Sequence, residues 1–249
     1  MPDAVAIPIA NKLLAALPRT EYERLRSDLE SVKLLAGATL CQAGDRIAHA
    51  YFPNNCLVSL LVVAEGRKTL NVGLVGSEGI VGIPLTLGIG VSSVRAVVQE
   101  AGTAMRITSA RFDREFHRNP SLRRALLRYT HALMTQSSQT AACCRFHLLE
   151  ARLARLLLMT RDRMRSNDFH LTHEFLAQML GVRRVGVTKA AGSLQQRRLI
   201  SYRRGSIRLL NGKGLEAASC RCYQIVKSVP DQAQTRNSDA GYPVVAAAV

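Results

Sequence analysis

Three residues at fixed spacing constrain this chain more than any other feature: Ala177, Gly181 four positions later, and Val187 six beyond that, all within LTHEFLAQMLGVRRVGVTKAAGSLQQRRLI at 171–200. A helix-turn-helix needs a small residue where two helices cross, a residue able to turn the chain, and a branched apolar residue beneath the second helix. Ala177, Gly181 and Val187 fit those roles in order. Thr172 can cap the first helix, whose inner face is expected to hold Phe175, Leu176, Met179 and Leu180. Val187, Ala191 and Leu194 are expected to anchor the second.

That inner face places Arg184, Val185, Thr188, Lys189 and Gly192 on the opposite side of a helix beginning near Arg183. In a DNA major groove, Arg184 can pair with guanine O6 and N7, Val185 and Thr188 can meet a thymine methyl or a base edge, and Lys189 can meet phosphate. Downstream, LISYRRGSIRLL at 199–210 alternates as a hairpin with Arg203, Arg204 and Gly205 at its tip. This reads as a wing whose arginines ride on the phosphates, so the winged unit is expected over roughly 170–212. The candidate DNA-contacting set is Thr172, Arg183, Arg184, Val185, Thr188, Lys189, Arg203 and Arg204.

Charge supports the same region. The chain carries a formal +16 over 249 residues, and residues 145–213 hold fifteen Lys/Arg against four Asp/Glu, which is +11 of that total. A polyanion is the natural partner of such a concentration. Aromatic residues are only 5% and form no stacking platform in the basic segment, which disfavours a basic RNA-binding protein. No run of apolar residues is long enough to span a bilayer and the N-terminus lacks a secretory pattern, so a soluble cytoplasmic protein without membrane contact is expected.

The six cysteines (41, 56, 143, 144, 220, 222) include no C-x2-C pair. They are expected to be reduced thiols packed as small hydrophobes, with neither a disulfide framework nor a metal site. Vicinal Cys143 and Cys144, beside Arg145, are the one place where thiol oxidation could couple to the joint between helices.

Upstream, residues 10–30 place Leu13, Leu14, Leu17, Tyr22, Leu25 and Leu29 at helical spacings broken by Pro18, which predicts two short helices. From about 33 to 111 the texture becomes short apolar runs (39–41, 56–63, 69–75, 94–98, 104–107) punctuated by glycine, which predicts an antiparallel β-barrel or sandwich. Asn119-Pro120 then opens an unbroken helical pattern to about 144, long enough to be a dimer seam. A second helical run follows from His147. The domains expected are 1–118 for helices and a β-domain, 119–145 for the dimerisation helix, 146–225 for the winged helix-turn-helix, and 226–249 for a disordered tail.

Taken together, the α+β order of β-roll, long helix and winged helix-turn-helix resembles the cyclic-AMP receptor protein / fumarate-nitrate regulator (CRP/FNR) family of transcription factors over about residues 10–220. The most specific pieces are RLARLLL at 152–158 and the Leu171-Thr172, Leu176-Ala177 and Leu180-Gly181-Val182 pattern; Gly44-Asp45, Tyr51-Phe52-Pro53 and VGSEGIVG at 75–82 are similar to the family's roll. The resemblance implies that the β-domain is a sensor roll and that the protein is a homodimer on a palindromic double-stranded operator, with RNA polymerase as a further partner.

The departures are informative. Nucleotide-binding members follow the glycine matching Gly82 with a glutamate for the ribose hydroxyl, and later carry an Arg-Ser pair for the cyclic phosphate; here Ile83 and Ser92-Ser93 stand in those places. An apolar side chain cannot accept the ribose proton, so cyclic AMP is disfavoured. Cys41 and Cys56 cannot supply the four thiolates of an iron–sulfur cluster, which is disfavoured too. None of His49, His117 and His131 stands out as a haem ligand, and no cofactor is identified. Val185 replaces the family's frequent glutamate, so the operator should differ. The function expected is a sequence-specific regulator of unknown effector, not an enzyme; a barrel-type small-molecule-binding protein is the alternative outside nucleic-acid binding, and its His-x-His metal spacing is absent.

Overall fold

The computed structural model describes residues 9–63 and 69–232. Two short helices come first, α1 (Lys12–Ala15) and α2 (Arg19–Arg26), with Pro18 at the cap of the second as its missing N–H favours. Seven strands follow: β1 (Glu30–Leu34), β2 (Thr39–Cys41), β3 (His49–Pro53), β4 (Leu57–Val63), β5 (Thr69–Val75), β6 (Arg95–Glu100) and β7 (Gly102–Thr108). They form two antiparallel sheets, ordered β1-β7-β3 and β2-β6-β4-β5. This is the expected roll. Its core packs Phe52, Val58, Val75, Ile80, Val98 and Ile107 with Leu14 and Leu25 from the first helices.

The chain then turns helical earlier than the apolar pattern indicates. Helix α3 (Ser109–Arg118), capped by Thr108, buries Phe112 and stacks it on Phe116 one turn later. Helix α4 (Pro120–Phe146) starts where Asn119-Pro120 predicts: Asn119 Oδ1 accepts from Leu122 N at 2.8 Å, and proline occupies the first turn, where its missing donor costs nothing. At 27 residues it is about 40 Å long. Leu122, Leu126 and Tyr129 pack on the roll, while Leu127 and Met134 remain 48% and 64% exposed.

After a break at His147–Leu148, helix α5 (Leu149–Met164) supplies the spine of a second core. The remaining elements are β8 (Asp168–His170), α6 (His173–Leu180), α7 (Arg184–Gln196), β9 (Ile200–Arg203), β10 (Ser206–Leu209), α8 (Gly212–Ala218) and α9 (Cys222–Gln232). Leu153, Leu157, Leu176, Val187, Leu194 and Ile207 meet in one cluster, which also takes in Leu57 and Leu74 of the roll. The two halves therefore share apolar contacts. Arg163 reinforces the joint: its guanidinium donates to Leu74 O at 2.8 Å and Gln136 Oε1 at 2.6 Å, and pairs with Glu78 at 3.0 Å.

The tail expected from residue 226 is corrected in part. Helix α9 runs to Gln232, with Val226 packed against the core of the second half and Val229 buried. Residues 233–249 of that expectation lie outside the described residues. No helix among the described residues is long and apolar enough to cross a membrane.

Candidate nucleic-acid interface

Each residue of the helix-turn-helix spacing occupies its expected steric place. Ala177 is buried where α6 crosses its partner, and Val187, Ala191 and Leu194 are buried beneath α7. Gly181 closes α6 in the left-handed region at φ 63°, and Val182 N donates back to Ala177 O at 3.0 Å. A side chain there would be strained by the backbone and would sit 3.1 Å from Leu70 Cδ1. Thr172 caps α6 by accepting from Phe175 N at 3.2 Å.

The outward face of α7 carries Arg184, Val185, Thr188, Lys189 and Gly192, all exposed, with Arg183 exposed at the N-cap. The unsatisfied N–H groups of that helix start add a partial positive charge to two guanidinium groups. The wing is a three-stranded sheet, β8-β10-β9, one strand larger than the expected hairpin. Its turn is made by Arg204 at φ 49° and Gly205 at φ 85°, two consecutive left-handed residues, as tight hairpin turns require. Arg203 and Arg204 are exposed at the tip.

Two arginines beside this surface are ion-paired. Arg208 is held by Asp168 at 2.6 Å and Arg197 by Glu150 at 2.6 Å. Among the described residues, Arg183, Arg184, Lys189, Arg203 and Arg204 have no acidic partner. Five unneutralised cations on one helix and one turn form a ready anion-binding surface.

The sequence did not single out His173, which ties the three parts of this surface together. Its Nδ1 lies 3.0 Å from Thr188 Oγ1, and its ring stacks on Tyr202 of the wing at 4.1 Å with 16° between planes. Burial, aided by Arg184, lowers its pKa below the ordinary value of 6.5. Thr188 Oγ1 also donates to Arg184 O at 3.2 Å. Its hydroxyl is thus already engaged, which leaves the threonine methyl as its freer group.

In the roll, a cavity of about 240 Å³ is lined by Leu60, Val72, Ile83, Ser92, Leu133 and Ser137 among others. Ile83 and the two serines therefore share one pocket, and Leu133 and Ser137 bring α4 to its wall. Ser92 Oγ donates to Val94 O at 2.7 Å, so it is turned into its own turn. Asp45 and Arg46 both border the cavity, and so does His49, whose pKa burial and Arg106 lower. His117 and His131 are exposed on α3 and α4, away from it. Cys56 is buried with its thiol pushed up to about 11 by desolvation, the opposite of a reactive thiol.

The expected absence of a metal-ligand cluster needs correction. Cys143, His147, Cys220 and Cys222 place their ligand atoms within 4.8 Å of one another. Without a C-x2-C pair, the signal available was Cys143 and His147 one helical turn apart, together with Cys220-x-Cys222. Cys143 Sγ lies 3.4 Å from Cys220 Sγ, and the contact with Cys220 together with burial raises its pKa. The vicinal pair is split: Cys144 instead accepts from Arg152, whose guanidinium also donates to Leu180 O.

Comparison with known proteins agrees with this geometry. Residues 151–218 match the Crp-like helix-turn-helix domain. The chain is 26% identical over 179 residues to the global nitrogen regulator of Nostoc sp., covering 68% of this chain and 80% of that one. A CRP/FNR-family transcriptional regulator from Eubacterium rectale superposes with a TM-score of 0.63 at 14% identity, over 83% of this chain and 97% of its own. The c-di-GMP-responsive global regulator CLP of Xanthomonas campestris gives 0.62 at 17% identity, over 77% and 99%. Residues 151–218 are thus matched as a Crp-like helix-turn-helix domain, and the fold of the chain is the one shared by the CRP/FNR-family regulators on which it superposes.

Proposed function

We propose that the protein acts as a homodimeric, effector-modulated regulator rather than an enzyme, reading a palindromic operator through α7 and the wing. The unpaired, exposed set Arg183, Arg184, Lys189, Arg203 and Arg204 carries the reading. Arg184 and Val185 meet base edges; Lys189 and the wing arginines meet phosphates; Thr188 offers its methyl to a thymine; Thr172 orders the helix start beside the backbone. Residues 119–145 join two such units, with 1–118 as sensor and 146–225 as reader.

The dimer seam is argued from exposure. Along α4, Arg124, Leu127, His131, Met134, Ser138, Ala141 and Arg145 recur at alternating spacings of three and four, and Leu127, His131, Met134, Ser138, Ala141 and Arg145 are all exposed or partly so. The spacing is that of a coiled-coil seam, exposed along its length, with Leu127, Met134 and Ala141 as its apolar members. Two copies so joined can set recognition helices about 34 Å apart, one turn of duplex. The roll cavity, walled partly by α4, is the natural seat of an effector. Its apolar lining and spent serine favour a ligand less anionic than a cyclic nucleotide, and neither cyclic AMP nor an iron–sulfur cluster is expected in the roll. The setting proposed is the cytoplasm, with RNA polymerase at the regulated promoter.

Recovery of duplex fragments from a random pool tests this reading. A two-fold symmetric motif with half-sites one turn apart is the expected result, lost with Met134→Glu if that variant becomes monomeric by sedimentation. Selection of an asymmetric motif, or preference for RNA over duplex DNA in competition, contradicts it.

A further inference from the structure

The Cys143, His147, Cys220 and Cys222 cluster lies outside the roll cavity and outside the DNA-facing surface. It sits where the last turn of α4 meets the junction of α8 and α9. Cys143 and His147 are one turn apart at the end of α4, with His147 at its C-cap. Cys220 lies between α8 and α9, and Cys222 begins α9. Two short-range pairs, 77 and 75 residues apart in sequence, are brought face to face.

We propose that these four side chains form a tetrahedral Cys3His site for a single zinc ion, which clasps the C-terminal helix to the end of α4. The donor atoms all lie within 4.8 Å, with Cys143 Sγ to Cys220 Sγ at 3.4 Å and Cys222 Sγ to His147 Nδ1 at 3.6 Å. Ligands about 2.3 Å from one ion stand about 3.8 Å apart at the corners of a tetrahedron, which this spacing approaches. A multi-iron cluster places its thiolates on separate irons and needs a wider cage. A Cys143–Cys220 disulfide would use two of the four groups and leave the convergence of Cys222 and His147 without a cause.

Burial and charge point the same way. Cys143, Cys220 and Cys222 are 2%, 8% and 4% exposed, and with Ala151 they form a small cluster of their own. Thiols packed against one another gain only weak S–H contacts, whereas a cation turns the same arrangement into strong coordination. On binding, three S–H groups release their protons to water, three Zn–S bonds and one Zn–N bond form, and nothing is oxidised or reduced. Three thiolates, a neutral imidazole and Zn²⁺ leave a net charge of −1. Arg155 on α5 balances it: the residue is 6% exposed, its Nε has no hydrogen-bond partner among the described residues, and its charge acts on Cys143 and Cys222. Cys144, turned toward Arg152, takes no part.

The full-length protein, purified under reducing conditions without chelator, should carry one zinc per chain by elemental mass spectrometry. Cobalt exchanged into it should show thiolate-to-cobalt charge-transfer absorption with the intense visible bands of a tetrahedral site. His147→Ala and Cys222→Ser should each lose the metal, while Cys144→Ser and Cys56→Ala keep it. Alkylation of the wild-type protein needs no variant to fold: Cys143, Cys220 and Cys222 should be protected when metal is bound and react together after chelation. The proposal is overturned if the protein neither retains zinc nor gives the cobalt spectrum, if iron with sulfide is found instead, if Cys143 and Cys220 are recovered as a disulfide from cells, or if His147→Ala and Cys222→Ser both retain full zinc.

Discussion

Three arginines of β7 and α3 are held differently from those of α7 and the wing. In the roll and its flanking helices, Arg106 is paired with Glu30, and Arg111 and Arg114 share Asp28. On α7 and the wing, five cations stand without acids among the described residues. The first pattern neutralises charge locally; the second keeps it available for a partner. The halves also differ in what their working residues present: the helix-turn-helix turns its cations outward, whereas the roll gathers Ile83, Ser92 and Ser93 around an internal cavity.

Truncating the reader's core should have the largest effect. Leu194, fully buried in the cluster that also holds Val187 and Ile207, should destabilise the protein by about 2–5 kcal/mol when changed to alanine. Chemical denaturation followed by circular dichroism would measure this, and a cost below about 1 kcal/mol would argue that α7 is not anchored as described. Next comes Arg184→Ala, expected to weaken operator binding by about 1–3 kcal/mol and to relax preference at one base position, with the melting curve unchanged. Uniform weakening across all sequences would reassign Arg184 to phosphate.

Smaller effects refine the same contrast. Gly192 is an exposed helical glycine whose added Cβ would meet nothing within 4 Å, so Gly192→Ala should stabilise the free protein by about 0.5–1 kcal/mol. If it also weakens DNA binding, the helix approaches the duplex closely at that point. The smallest effect is on pH. His173 has a folded pKa below 6.5, so the unfolded chain takes up the proton first, and its contribution to stability is present above 6.5 and lost as pH falls from 6.5 toward the folded value. His173→Gln should flatten that part of a melting-temperature profile; an unchanged slope would remove His173 from the account.

Much of this was legible in the sequence, for physical reasons that differ by element. Ala177, Gly181 and Val187 were readable because crossing, turning and anchoring each admit few side chains. The strands at 57–63, 69–75 and 102–108 were readable because glycine-rich turns separate short apolar runs. Helix α3 was not, since its apolar signal is only Phe112 and Phe116 in a charged stretch. His173 was hidden because its partners Thr188 and Tyr202 are brought to it only by the fold. The Cys143, His147, Cys220 and Cys222 cluster was hidden for the same reason, with its halves separated by the entire reader.

Salt dependence tests the central claim most directly, that unpaired cations of α7 and the wing neutralise DNA phosphates. In a mobility-shift titration against an operator duplex, log K should fall linearly with log salt concentration, and the Arg203→Ala, Arg204→Ala double variant should make that slope shallower by up to about 2 without altering sequence preference. A flat salt response in the wild-type protein, or a slope unchanged in the double variant, would contradict the account.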